Sequence, residues 1–251
     1  MKLSKEDQEF VKQYDDSKYA KPSVTADMVI FAGTGDARTP SETESQQHFA
    51  AGSGTGISAD CEAEPLEVLL IRRGRPPFQN QYALPGGFVN PDESVDDAAK
   101  RELLEETGVE CESLEQLRTF STPGRDPRRW VITCAYLALV EKSQITVQAG
   151  DDAKDAEWFS VKLEKVEQPQ TNADTGQAGG HIKEAPQQVC RWALELCGSQ
   201  ETIRIPFWEE QLPGQWEPKL FLESADNKLA FDHDLILAYA VMRLERYRNR
   251  W

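Results

Sequence analysis

Gly86-Gly87-Phe88-Val89-Asn90-Pro91-Asp92-Glu93-Ser94, and a few residues later Arg101-Glu102-Leu103-Leu104-Glu105-Glu106-Thr107-Gly108-Val109, form the stretch that decides the fold. The glycine pair reads as a tight turn. From Asp97 to Glu106 the residues are mostly good helix formers, with no Pro or Gly, so a helix is expected after the turn. Glu102, Glu105 and Glu106 stand at i, i+3 and i+4 and project from one helical face. Like charges at that spacing repel and weaken a bare helix. A hard divalent cation with oxygen ligands is the natural neutraliser. The plain alternative is a solvated acidic helix that binds nothing. Leu103 and Leu104 flank the acidic face and are expected to bury against a sheet.

Outward from this stretch the pattern alternates. Upstream, Leu66 to Ile71 reads as a strand, Arg72 to Pro77 breaks it, and Tyr82 to Pro85 leads into the turn. Ser23 to Phe31 is a β-rich run and a predicted first strand. Ser4 to Tyr14 predicts a short helix with Ser4 as N-cap. Residues 32–65 are rich in Gly, Ser, Thr, Ala and acidic residues and read as a flexible insertion, with His48 solvated inside it. Downstream, 117–121 and 130–140 predict strands around a basic loop, and 156–161 predicts another short strand. Residues 167–180 read as a polar loop. Ala185 to Leu196 predicts a helix, with Val189, Trp192, Ala193 and Leu196 on an apolar face. Residues 203–207 and 219–223 read as a strand pair, and Asp232 to Arg246 as a closing amphipathic helix. This order indicates an α/β or α+β sandwich. It is read as a single domain over 1–251, with polar insertions at about 32–65 and about 161–224.

Composition narrows the function classes. The chain has 251 residues, 43 acidic against 28 basic, and a formal net charge of −15. That argues against a broad nucleic-acid surface, so no nucleic-acid partner is expected. An anionic substrate remains compatible, because a metal cluster and a few arginines reverse the field inside one cleft. The five cysteines (61, 111, 134, 190, 197) show no metal-site spacing and no disulfide framework, and Cys134 is expected to be a buried thiol. No apolar signal region opens the chain and no stretch suits a membrane span. The expectation is a cytoplasmic protein without a membrane partner.

The spacing then meets a family. Gly87, five residues, Glu93, seven residues, then Arg101 to Val109 fills every fixed position of the signature of the Nudix hydrolases, which the chain therefore resembles. The resemblance implies a mixed central sheet between helices. It implies Mg²⁺- or Mn²⁺-dependent hydrolysis of a nucleoside diphosphate linked to another group. Carried over to matching positions, it makes Glu105 and Glu106 metal ligands, Glu102 a ligand or base, the Gly86 carbonyl a further ligand, and Arg101 the group that holds a glutamate in place. Glu93 would brace the turn. In many such proteins an acidic residue in a late loop acts as general base. Here Asp152 is the first candidate, with Asp151 and Glu157 behind it.

Segments 19–31, 83–89, 125–130 and 229–237 also resemble the ADP-ribose pyrophosphatase group. On that resemblance Arg125 and Arg128, and less directly Arg73, would grip phosphate or ribose oxygens by forked hydrogen bonds. For each, a surface arginine beside a turn is the plain alternative. Phe78 or Tyr82 would stack on adenine, or simply pack in the core. His233, between two aspartates, reads as a capping or core-satisfying residue. ADP-ribose is the expected substrate, with an ADP-sugar, NADH or a dinucleoside polyphosphate as alternatives. The same relatives include ADP-ribose-sensing regulators with a C-terminal DNA-binding module. Only the closing helix follows Leu229 to His233 here, which favours an enzyme. The second insertion would rebuild the pocket or furnish a homodimer contact.

Overall fold

The computed structural model describes residues 3–33, 65–109, 114–145, 153–166, 189–211, 213–215, 217–224 and 226–248. His48, Asp151, Asp152 and residues 34–64 and 167–188 lie outside the described residues. In chain order the elements are α1 (Lys5–Gln13), β1 (Ser23–Ala32), β2 (Glu67–Arg73), β3 (Tyr82–Ala83), β4 (Gly86–Phe88), α2 (Val95–Thr107), β5 (Leu114–Phe120), β6 (Val131–Val140), β7 (Ala153–Val166), β8 (Val189–Cys197), β9 (Thr202–Glu210), β10 (Lys219–Leu222) and α3 (His233–Arg248).

β1 organises the rest. Side chains alternate across a strand, and both faces of β1 are covered. Ala26, Met28 and Ile30 pack with Ala98, Ala99 and Leu103 of α2. Val29 and Phe31 pack in the core that includes Ile236, Leu237 and Val241 of α3. A strand buried on both faces reads as a continuous apolar run, as Met28 to Ala32 does. The result is the expected α+β sandwich, a sheet between helices, with strand order β10-β9-β8-β7-β2-β1-β6-β5. β1 runs parallel to β6 from Ser23↔Val131 to Ala32↔Val140, and the remaining pairings are antiparallel.

On its other edge β1 forks. Phe31 and Ala32 pair with β2, whereas Thr25, Ala26 and Asp27 pair with β4. The fork admits the Leu84–Phe88 turn beside the middle of β1. α2 then starts at Ser94, whose hydroxyl accepts the Asp97 N–H, and stops at Gly108, whose φ of 72° suits glycine.

Three expectations need correction. Residues 189–197 form strand β8 and not the end of a helix over 185–196. Trp192, Leu194 and Leu196 alternate with Arg191, Glu195 and Cys197, and Leu194 and Leu196 are fully buried. β8 pairs with β7 on one side and β9 on the other. The spacing of Val189, Trp192 and Leu196 also fits a helix, but a helix would turn Leu194 away from that face; tertiary pairing settles the ambiguity. The stretch about 161–224 therefore supplies strands that continue the sheet. Leu104 is the second correction: Leu103 is fully buried but Leu104 is 44% exposed. Neighbouring helical positions point about 100° apart, so both cannot face the sheet. Cys134 is only partly buried.

α3 reaches both ends of the sheet. The Arg243 guanidinium donates to the Leu117 carbonyl of β5 at 3.4 Å, and the Tyr239 hydroxyl accepts the Leu220 N–H of β10 at 2.9 Å. Among the described residues no helix is long and apolar enough to cross a membrane.

Candidate active site

The turn in the fork is anchored on both sides. Met28 N–H donates to the Pro85 carbonyl at 2.8 Å, and Val89 N–H to the Val24 carbonyl at 2.9 Å. Gly86 has φ 145°, and a Cβ there would collide with the Ala26 carbonyl and the Asp27 Cα. A Cβ on Gly87 would collide with the Glu102 carboxylate. Gly86 is thus required by the close approach of the strand, whereas at Gly87 a side chain would displace the Glu102 carboxylate from its place beside the turn.

That approach brings the acidic face of α2 to the turn. Glu106 accepts the Gly86 N–H at 3.0 Å. Arg101 binds Glu93 through two nitrogens at 2.8 and 3.1 Å, Glu102 at 2.7 Å, Glu105 at 3.1 Å and the Phe88 carbonyl at 3.2 Å. Glu93 also accepts the Asn90 N–H, which closes the turn as the sequence suggested. The forked bond to Arg101 holds the Glu93 carboxyl down at about 2. Burial pushes the Glu106 carboxyl up to about 8, and the Glu102 charge adds to the rise. Burial also raises Glu102, against the pull of Arg101.

Glu93, Glu102 and Glu105 share one guanidinium and Glu106 rests on the Gly86 N–H, so negative charge is left uncompensated. Among the described residues no three carboxylates, histidines or cysteines converge as a ready ligand set, because Arg101 draws Glu102 and Glu105 to itself. The donors are nevertheless hard oxygens beside a charge deficit, and they fit a hard divalent cation better than a soft one.

Arg125 departs from the expectation of a substrate grip. Its side chain is 4% exposed and forks onto Asp232 at 2.6 and 2.9 Å, with Asp27 at 3.5 Å. It is an internal tie between the loop after β5, strand β1 and the start of α3. Burial raises the Asp27 carboxyl, opposed by Arg125. His233 is buried and accepts the Leu84 N–H at Nδ1, 2.8 Å away, which puts its proton on Nε2, 3.7 Å from Asp27. Burial depresses the imidazole to about 3, so it is neutral at working pH. The core-satisfying reading of His233 fits this placement.

Arg73, Phe78 and Arg128 do come together, around Phe231. Arg73 lies over the Phe231 ring at 4.9 Å, Phe78 meets it edge-on at 4.9 Å, and Arg128 lies 5.4 Å from it and 5.5 Å from Phe88. Arg128 is steadied by Asp126 at 2.7 Å and is 38% exposed. Tyr82 packs edge-on against Phe159, and its hydroxyl donates to Glu157 at 2.8 Å. Glu157 spends its other oxygen on the Ser199 N–H, so it serves the sheet. Asp27, Phe88 and Phe231 were missed in the sequence. Asp27 did leave a signal, a lone charge inside a strand.

Comparison with known proteins bears on the family. The NUDIX domain is matched over residues 57–177. An ADP-ribose pyrophosphatase of Methanocaldococcus jannaschii is 43% identical over 38% of this chain and 55% of its own length. An ADPR-responsive transcriptional repressor, NtrR, of Acinetobacter baylyi is 30% identical over 62% of this chain and 52% of its own. The chain thus spans about half the length of these curated relatives. The crystal structure of a MutT/nudix family protein from Enterococcus faecalis is 31% identical, covers 96% of this chain and 69% of its own, and superposes with a TM-score of 0.58. A relative 31% identical, covered to more than two thirds of its own length and matched over nearly the whole of this chain, shows the family, and on that ground this chain belongs to the Nudix family.

Proposed function

We propose that the chain hydrolyses the pyrophosphate bond of a nucleoside diphosphate derivative, first of all ADP-ribose to AMP and ribose 5-phosphate, with Mg²⁺ or Mn²⁺ and in the cytoplasm. The observation that carries this reading is the half-buried Glu106 carboxylate, fixed to the Gly86 N–H beside Glu102 and Glu105. Glu102, Glu105, Glu106 and the Gly86 carbonyl would hold the ion. It would supply charge stabilisation at the phosphoryl oxygens and a more acidic water. Arg101 orients Glu102 and Glu105 through its guanidinium. Arg128, with Phe88 and Phe231, offers a cationic and aromatic wall next to the turn for phosphate or base. Asp152 remains the proposed general base, and a homodimer belongs to the same reading. Both curated relatives carry ADP-ribose in their names, one as an enzyme and one as a regulator.

Purified protein with Mg²⁺ is expected to release AMP from ADP-ribose, resolved by anion-exchange chromatography, and EDTA is expected to stop it. ADP-sugars, NADH and dinucleoside polyphosphates complete the panel. Binding of ADP-ribose with no turnover of any of them, together with salt-sensitive retention of duplex DNA, would replace this reading with that of a regulator.

Arg128→Ala tests the wall. A charge-assisted hydrogen bond contributes about 1.5–3 kcal/mol, so KM for ADP-ribose should rise about ten- to a hundredfold. The fall in kcat should be small, the mark of lost uniform binding. Because Asp126 loses its guanidinium partner and keeps only the backbone N–H of residue 128 from that position, a melting curve accompanies the kinetics. An unchanged KM in a folded variant removes Arg128 from the substrate site.

A further inference from the structure

We propose that His233 is a positioning residue for the reaction, setting from the start of α3 the turn on which the Glu106 carboxylate rests. This rests on the reading of the carboxylate site above.

The geometry links the two in three short steps. His233 Nδ1 accepts the Leu84 N–H at 2.8 Å. One residue on, the Pro85 carbonyl is taken by Met28 N–H of β1 at 2.8 Å. The next residue, Gly86, gives its N–H to Glu106. The segment before α3 adds a second grip on the same stretch, Ala230 N–H to the Tyr82 carbonyl at 2.8 Å. Residues 82–86 are therefore held from one side by β1 and from the other by Ala230 and His233.

His233 is itself fixed. It is 4% exposed, and its neighbours are tied down by the fork of Arg125 onto Asp232. The Phe231 ring leans on it at 5.3 Å. With Nδ1 committed as acceptor, the ring orientation and tautomer are determined. A buried N–H deprived of its acceptor must find another, and here the backbone that would shift is two residues from Gly86. Displacements well under the length of a bond disturb a site whose groups need fixed geometry.

The test compares His233→Asn, His233→Gln and His233→Ala. Asn carries an oxygen at the same number of bonds from the backbone as Nδ1, whereas Gln carries it one bond further. Three readouts are taken on full-length protein: the Leu84 and Gly86 amide signals of ¹⁵N-labelled protein, Mn²⁺ binding without substrate by the paramagnetic resonance of free Mn²⁺, and kcat with KM for ADP-ribose. The Asn variant should stay close to the parent in all three. The Gln and Ala variants should shift the Gly86 amide, weaken Mn²⁺ binding and lower kcat by about ten- to a hundredfold, the range found when groups supporting metal ligands are removed. KM for ADP-ribose should change little.

A role in the fold alone predicts lower melting temperatures with Mn²⁺ affinity, kcat and the Gly86 signal unmoved, and that result overturns the proposal. So does equal behaviour of the Asn and Gln variants. Should the Ala variant not fold, the Asn and Gln pair decides. If the parent binds Mn²⁺ but hydrolyses no nucleotide, the proposed activity fails while the metal and amide readouts still judge His233. If the parent binds no Mn²⁺, the amide readout alone does so.

Discussion

Glu106→Gln should lower turnover sharply and spare the fold. We expect kcat to fall about a hundredfold or more, the order seen when metal-borne or preorganised charge stabilisation is lost. The structure adds a second arm. Glu106 rises from an ordinary 4.5 to about 8, chiefly through burial. A carboxyl raised in the folded state binds its proton more tightly there than in the unfolded chain. Its contribution to stability is therefore fully present below about pH 4.5 and is lost as pH climbs to about 8 in metal-free protein. Gln carries no such charge. In EDTA at pH 8 the variant should melt no lower than the parent, and its stability should vary less with pH. Loss of activity without loss of stability marks a functional carboxylate. Near-parental kcat, or a large drop in melting temperature at pH 8, would remove Glu106 from the centre of the site.

Arg125→Ala should act in the opposite sense, on the fold before the chemistry. Removing one partner of a buried ion pair destabilises by about 3–5 kcal/mol, because the other charge is left without compensation. Here Asp232 and Asp27 would both be left, the latter 8% exposed. For a chain of this size each kcal/mol moves the midpoint by about 2–4 °C, so a fall on the order of ten degrees is expected by calorimetry. Arg125→Lys should recover only part of it, since an ammonium cannot fork onto Asp232. A variant that melts with the parent while its KM for ADP-ribose rises would return Arg125 to the substrate.

The sequence made the site's helix legible because its information is local. Ser94, the i, i+3, i+4 glutamates and Gly108 act through backbone geometry a few residues long. β1 was equally plain, since burial on both faces writes an uninterrupted apolar run. β8 was hidden because a nine-residue stretch with spaced apolar groups satisfies two periodicities, and only its pairing with β7 and β9 separates them. Arg125 shows the same limit at the level of chemistry. A basic loop near a turn looks ready for phosphate, and nothing local reveals that Asp232, 107 residues on, already occupies the guanidinium. Arg73, Phe78 and Arg128 were picked out separately, whereas their common neighbour Phe231 could be recognised only once the chain had folded back on itself.

α3 touches both ends of the sheet, and this bears on solubility and association. An open sheet exposes two rows of unpaired backbone groups, each a template for another strand. Here one end strand is only four residues long and opens with Lys219. The other carries exposed Glu115 and Arg118 around a bulge. Tyr239 and Arg243 each satisfy a backbone group on one of those strands, so a single helix guards both rims. Adding a foreign strand would require giving up these bonds and burying charge. Edge-to-edge polymerisation is thereby disfavoured.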